Sequence, residues 1–87
     1  MLERVVRVIN QFGIHARPSG IIVKIASKYP NKITLYYEEN KANAKSIIET
    51  MMLAMPEGAY IRVEVEGNDS ENALNDICNA LTKNYEY

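Results

Sequence analysis

The chain has no tryptophan, one phenylalanine, one cysteine and one histidine among its 87 residues. A single cysteine, Cys78, excludes an internal disulfide and a cysteine-built metal centre, and His15 has no second imidazole with which to share a metal. We therefore expect no metal, no cofactor and a reducing, cytoplasmic compartment. Charge of one sign is also missing: ten basic and eleven acidic residues leave a net charge of -1 with no run of like charge. That balance excludes the electrostatic footprint of a nucleic-acid binder or of a protein held on an anionic membrane. Long apolar runs are absent as well. Glu3, Arg4 and Arg7 interrupt the first nine residues, and no segment approaches the ~18 apolar residues of a membrane span. Residues 1–87 are expected to form one domain, able to bury only about 60–65% of the unfolded chain's surface. A deep, enclosed active site is not expected in a core of that size.

The patterning alternates between strand and helix periods. Leu2, Val6 and Val8 fall on one face of a first strand and Glu3, Val5 and Arg7 on the other. A loop from Asn10 to Ile14, with Gly13 as its flexible point, leads to a helix over about 16–28, where Ile22, Ile25, Ala26 and Tyr29 recur at helical spacing. Tyr29-Pro30 ends that helix, because the residue before proline disfavours the helical conformation. Ile33, Leu35 and Tyr37 alternate with Lys32, Thr34 and Tyr36. Glu38-Glu39-Asn40 then turns the chain, Asn40 being the residue best suited to positive φ, into a short return strand over 41–44. Ser46-Ile47-Ile48-Glu49 reads as a capping box that starts a helix running to about Leu53. Ile61, Val63 and Val65 alternate with Tyr60, Arg62, Glu64 and Glu66. Gly67 to Ser70 supplies a turn and a cap, and Leu74, Ile77, Cys78 and Leu81 mark the inner face of a last helix to about Asn84. The order β-α-β-β-α-β-α with one-faced strands predicts an α+β, open-faced β-sandwich: a four-stranded, mainly antiparallel sheet with three helices on one face and water on the other.

The stretch with chemistry in it is Gly13-Ile14-His15-Ala16-Arg17-Pro18-Ser19. Pro18 lacks an N–H and has a fixed φ, which suits the first turn of a helix, where N–H groups have no intrahelical acceptor. Those N–H groups, among them Ala16 and Arg17, and the positive end of the helix dipole favour an anion beside His15, and Arg17 adds a forked, permanently charged donor. In the second helical stretch Ile47, Ile48, Met51, Met52, Leu53 and Met55 fill six of nine consecutive positions. A helix stripe covers little more than a third of the circumference, so some of these side chains should be exposed, and flexible methionines suit a surface that meets several partners. For Ser46 the plain N-cap reading is strong, and sequence physics alone prefers it. Cys78, with no lysine or arginine at helical contact spacing, reads as a small buried hydrophobe. Tyr36, Tyr37 and Tyr60 lie on strands without the basic groove that base stacking would need, and nothing pairs two carboxylates as acid and base.

The Gly13 to Pro18 segment, the Asn43-Ala44-Lys45-Ser46-Ile47 segment about thirty residues later and Gly67 after the last strand together resemble the HPr family of histidine-containing phosphocarriers of the bacterial phosphoenolpyruvate-dependent sugar phosphotransferase system. The resemblance spans nearly the whole chain and implies the same open-faced sandwich. It further implies that His15 takes a phosphoryl group from enzyme I and passes it to enzyme IIA, that Arg17 supports the phosphate, and that Ser46 is a regulatory site for an HPr kinase/phosphorylase. Gly20, Ile47, Ile48 and Met51 would form the partner surface of a monomer, which a transcriptional regulator could also use. A regulatory HPr-like binding module and a carrier of the nitrogen-related branch are the competing readings. Three positions depart from the family pattern: Glu39 at the hairpin turn, where glycine is frequent; Gly20 in place of alanine or threonine; and Ala54 in a usual glycine position.

Overall fold

A computed structural model describes residues 1–85. The elements follow the expected order: β1 (Leu2–Arg7), α1 (Ala16–Ala26), β2 (Ile33–Tyr37), β3 (Asn40–Asn43), α2 (Ile47–Met52), β4 (Tyr60–Val65) and α3 (Ser70–Leu81). The strands form one sheet in the order β1-β4-β2-β3, every neighbouring pair antiparallel. β4 lies inside the sheet, and its alternation is correspondingly clean, with Ile61, Val63 and Val65 fully buried. They meet Ile33 and Leu35 of β2 on one side and Ile22, Ala26, Leu74, Ile77 and Leu81 of the helices on the other. Each such aliphatic side chain removed from water contributes about 1.5–3 kcal/mol.

The opposite sheet face is wet but not unstructured. Arg62 stacks 4.0 Å above the Tyr36 ring and pairs with both Glu64 and Glu3. β1, an edge strand, is exposed along most of its length, and only Val6 and the following Val8 turn into the core. The Arg4 guanidinium acts electrostatically on the Cys78 thiol of α3, an influence between elements that helical spacing within α3 cannot reveal.

Several boundaries differ from expectation for identifiable reasons. α1 stops at Ala26 because its end tightens, with Lys28 and Tyr29 N–H groups donating to Ile25 and Ala26 carbonyls while the Ser27 hydroxyl takes the Val23 carbonyl at 2.7 Å. α3 stops at Leu81, where the Thr82 hydroxyl donates to the Cys78 carbonyl at 2.9 Å. In the β2–β3 hairpin Tyr37 pairs with Asn40, leaving the two-residue turn Glu38-Glu39. The left-handed residue is Glu38 at φ 54°, not Asn40, which the register draws into β3. Asp69 precedes α3 in a left-handed conformation without a side-chain cap, and the Ser70 hydroxyl reaches back to the Gly67 carbonyl instead. Gly67, at φ 97°, leaves room for buried Asn31, whose Nδ2 donates to the Glu66 and Asn68 carbonyls at 2.8 Å each.

Candidate functional site

His15 is the N-cap of α1, in extended conformation at φ -83° and ψ -164°. Ala16, Arg17 and Pro18 follow as the first helical residues, and the first intrahelical bond runs from Ser19 N–H to the His15 carbonyl at 2.9 Å. Ala16 and Arg17 are exposed, Pro18 and Ser19 are buried and His15 is half-buried. The first turn is thus pinned on its inner side and open on its outer side, where the peptide dipoles present positive charge. The imidazole has a defined orientation: Nε2 has less than 1 Å² of accessible surface.

The loop before His15 is fixed by close backbone packing. Gly13 takes φ 69°, its N–H donates to the Asn10 carbonyl at 2.9 Å, and Ile14 N–H donates to the Met55 carbonyl at 2.8 Å. A Cβ at Gly13 would lie inside contact distance of the Met55 carbonyl oxygen and 2.9 Å from Pro56 Cα. The glycine is required by both its conformation and its neighbours. The Ser19 hydroxyl adds a bond to the Ile14 carbonyl at 3.2 Å.

His15 and Ala16 share a hollow with Phe12, Ile14, Met51, Ala54, Met55 and Pro56. Local sequence patterns place His15, Ala16 and Met51 here, but not Phe12 or the 54–56 segment, which the Ile14–Met55 hydrogen bond brings in from forty residues away. Phe12 is 67% exposed at the rim. Ala54, just past α2, has φ 50°, which accounts for glycine being the familiar residue at such a position. The apolar excess of the second helical stretch divides as its geometry requires: Leu53 and Met55 enter the core, while Ile47, Ile48, Met51 and Met52 are exposed, Met52 at 78%. Gly20 lies where α1 meets α2; an added Cβ would sit 4.0 Å from Ile47 Cδ1, ordinary contact, so glycine leaves a small gap there.

Ser46 caps α2, accepting from Glu49 N–H at 3.3 Å. The reciprocal arm of the expected capping box goes elsewhere, since Glu49 Oε1 accepts from Asn43 N–H at 2.9 Å. Lys45 Nζ turns away to the Tyr29 carbonyl at 2.6 Å. Ser46 does not line the His15 hollow; it stands at the other end of the exposed apolar helix that borders it. Cys78 is buried, and desolvation pushes its thiol above the ordinary cysteine range despite the opposing charge and hydrogen bond of Arg4.

Fold and site together define a class: small open-faced α+β sandwiches that carry a histidine at the N-cap of their first helix. The family model described as the PTS HPr component phosphorylation site matches residues 2–83. The phosphocarrier protein HPr of Treponema pallidum is 42% identical over 77 residues, covering 88% of each chain, and that of Xylella fastidiosa is 39% identical over 74 residues, covering 85% of this chain and 83% of its own. Among solved structures, HPr of Bacillus anthracis superposes with a TM-score of 0.88 at 31% identity, over 93% of this chain and 96% of that one. The chain belongs to the HPr family of phosphocarriers of the phosphotransferase system.

Proposed function

We propose that this chain is a phosphoryl carrier, which accepts a phosphoryl group on His15 from enzyme I, with phosphoenolpyruvate as the ultimate donor, and passes it to enzyme IIA in sugar uptake. The observation that carries the reading is His15 at the open N-terminus of α1, with Arg17 in the first turn. In a neutral imidazole one nitrogen holds a proton and the other a lone pair. Nε2 is turned out of solvent, so the attacking lone pair belongs on Nδ1 and the proton on Nε2. The P–N bond forms at Nδ1 as the bond from phosphorus to the donor breaks, and the helix dipole, first-turn N–H groups and Arg17 balance the phosphoryl charge. An in-line acceptor must reach the same phosphorus from another protein. A shallow site beside an apolar patch suits such a relay better than the stand-alone chemistry of an enclosed enzyme. In this reading Gly20, Ile47, Ile48 and Met51 contact partners, and residues 1–87 act as a monomeric, cytoplasmic domain without metal or cofactor.

Incubation with enzyme I and phosphoenolpyruvate should add one acid-labile phosphoryl group, and His15→Ala should remain folded and unlabelled. An acid-stable adduct, or labelling of the alanine variant, would sink the assignment.

Ser46 supports a second, compatible reading as a regulatory site for an HPr kinase/phosphorylase, with a transcriptional regulator as a further partner. A phosphate on its hydroxyl would add about -1.5 to -2 charge at the head of α2. It would adjoin exposed Ile47 and Ile48, where desolvating it against an apolar partner costs several kcal/mol unless that partner offers a basic group.

A further inference from the structure

We infer that Asn10 is a positioning residue for phosphoryl transfer at His15, and that the main-chain amide of Tyr85 completes its action; this rests on the carrier reading above. Asn10 is fully buried between the end of β1 and the His15 loop. Its Nδ2 donates to the Gly13 carbonyl at 2.7 Å, while its own carbonyl accepts from Gly13 N–H at 2.9 Å. These two bonds hold the peptide groups on either side of Gly13 and so fix the left-handed turn that delivers Ile14 to Met55 and His15 to the helix N-terminus. The remaining amide oxygen, Oδ1, accepts from Tyr85 N–H at 2.8 Å. The partners determine the orientation of the amide, because the Gly13 carbonyl can only accept and the Tyr85 N–H can only donate; a flipped side chain would break both bonds. Tyr85 is itself anchored by its hydroxyl, which donates to the Ala80 carbonyl at 2.7 Å. The end of the chain thereby braces a loop seventy-five residues earlier in sequence. Transfer between two proteins depends on placing a ring nitrogen in line with phosphorus, where displacements of about 1 Å can cost on the order of a hundredfold in rate.

The test measures kcat and KM for this chain as the acceptor from phosphorylated enzyme I, with thermal midpoints recorded alongside. Asn10→Ala should lower kcat about tenfold while KM stays within about twofold, because a modest displacement acts on the reacting geometry more than on docking. Tyr85→Pro deletes the amide donor together with the half-buried ring and its bond to the Ala80 carbonyl and should lower kcat by roughly threefold. Ile77→Val loosens the core of α3 without touching the loop and should leave kcat unchanged. A kcat within twofold of the parent in Asn10→Ala would overturn the inference, as would an equal fall in Ile77→Val, which would mark a general response to lost stability. If Asn10→Ala does not fold, Tyr85→Pro decides, and an unchanged kcat there removes the inference. A parent chain that takes up no phosphoryl group removes the carrier reading itself, whereas a normal parent with unaffected variants removes only the role of Asn10.

Discussion

Replacing Gly13 by alanine tests whether the backbone before His15 is as tightly determined as its packing indicates. The residue has φ 69°, where a Cβ costs about 1–2 kcal/mol. The added carbon would also press on the Met55 carbonyl and on Pro56 Cα at 2.9 Å. Both are backbone atoms that no rotamer change can move aside, so the loop must shift, with an overpacking cost of about 1–3 kcal/mol. The smaller entropy of the unfolded alanine chain returns about 0.4–1 kcal/mol. The balance is a loss of about 3 kcal/mol, which for a domain of this size lowers the thermal midpoint by roughly 12–24 °C. The Ile14–Met55 hydrogen bond at 2.8 Å is the first contact to break, so phosphoryl acceptance should fall even at temperatures where the variant stays folded. Urea unfolding followed by circular dichroism, with transfer from enzyme I measured at 15 °C, reads both effects. A stability loss below about 1 kcal/mol with unchanged transfer would show that the loop tolerates a side chain, and the packing argument would fail.

Ala54→Gly should raise stability by about 0.5–1 kcal/mol in the same urea assay, since relief of the left-handed alanine at φ 50° exceeds the entropy that glycine adds to the unfolded state. Ser46→Asp should keep stability within about 0.5 kcal/mol, because aspartate also caps helices, yet slow transfer from enzyme I; equal transfer rates would return Ser46 to a purely structural role. The Cys78 thiol is raised above its ordinary value of 9.0 by burial, and Tyr85 is raised above 10.0 for the same reason. The folded state therefore holds these protons more tightly than the unfolded state does. Their contribution is complete below pH 9 and is lost as pH rises through the folded-state values. The urea midpoint should be flat from about pH 7 to 8.5 and decline above about 9, less steeply in Cys78→Ala; an identical decline in that variant would refute the assignment to the thiol.

The element order was legible in the sequence because each element carries its own period. Ile61-Val63-Val65 and Leu74-Ile77-Cys78-Leu81 state their inner faces without help from the rest of the chain, and all are buried. The contiguous part of the site, from Gly13 to Ser19, was legible for a similar reason: glycine, proline and a helix start act within one turn. What local sequence cannot reveal depends on pairs that only the fold brings together. Arg4 on an edge strand acts on the thiol of Cys78 in α3, Glu49 finds Asn43 N–H rather than its own cap, and Lys45 takes the Tyr29 carbonyl. Asn10 looked like an ordinary loop residue because its partners are a carbonyl three residues on and an amide at the far end of the chain. The hairpin turn shows the limit of propensity. Asn40 tolerates positive φ better than glutamate does, yet the register that pairs Leu35 with Ala42 and Tyr37 with Asn40 places Glu38 at the turn.

The same fold that makes the protein small makes its site shallow. Helices cover only one face of the sheet, so the start of α1 and the end of α2 come out at the rim of the core rather than inside it, and the hollow between them is closed only from below, by Ile14 and Met55. Such a place leaves Ala16 and Arg17 of the first helical turn exposed, with His15 only half-buried. On the proposed carrier reading, the electrostatic provision comes from groups that need no burial to point correctly: the peptide dipoles of a helix already fixed by its packing and the fork of Arg17. Left-handed residues flank the site on both sides, Gly13 before α1 and Ala54 after α2. At Gly13 the conformation carries no Cβ penalty, whereas Ala54 bears a cost of the order that persists where surrounding structure overdetermines a backbone. Holding the 54–56 segment against Gly13 builds the wall of the hollow, and it also aligns the exposed methionines of α2 beside His15. The placement of the histidine and the exposure of the apolar patch are therefore consequences of one backbone contact, and on the proposed carrier reading a substitution that loosens it should disturb phosphoryl chemistry and partner docking together.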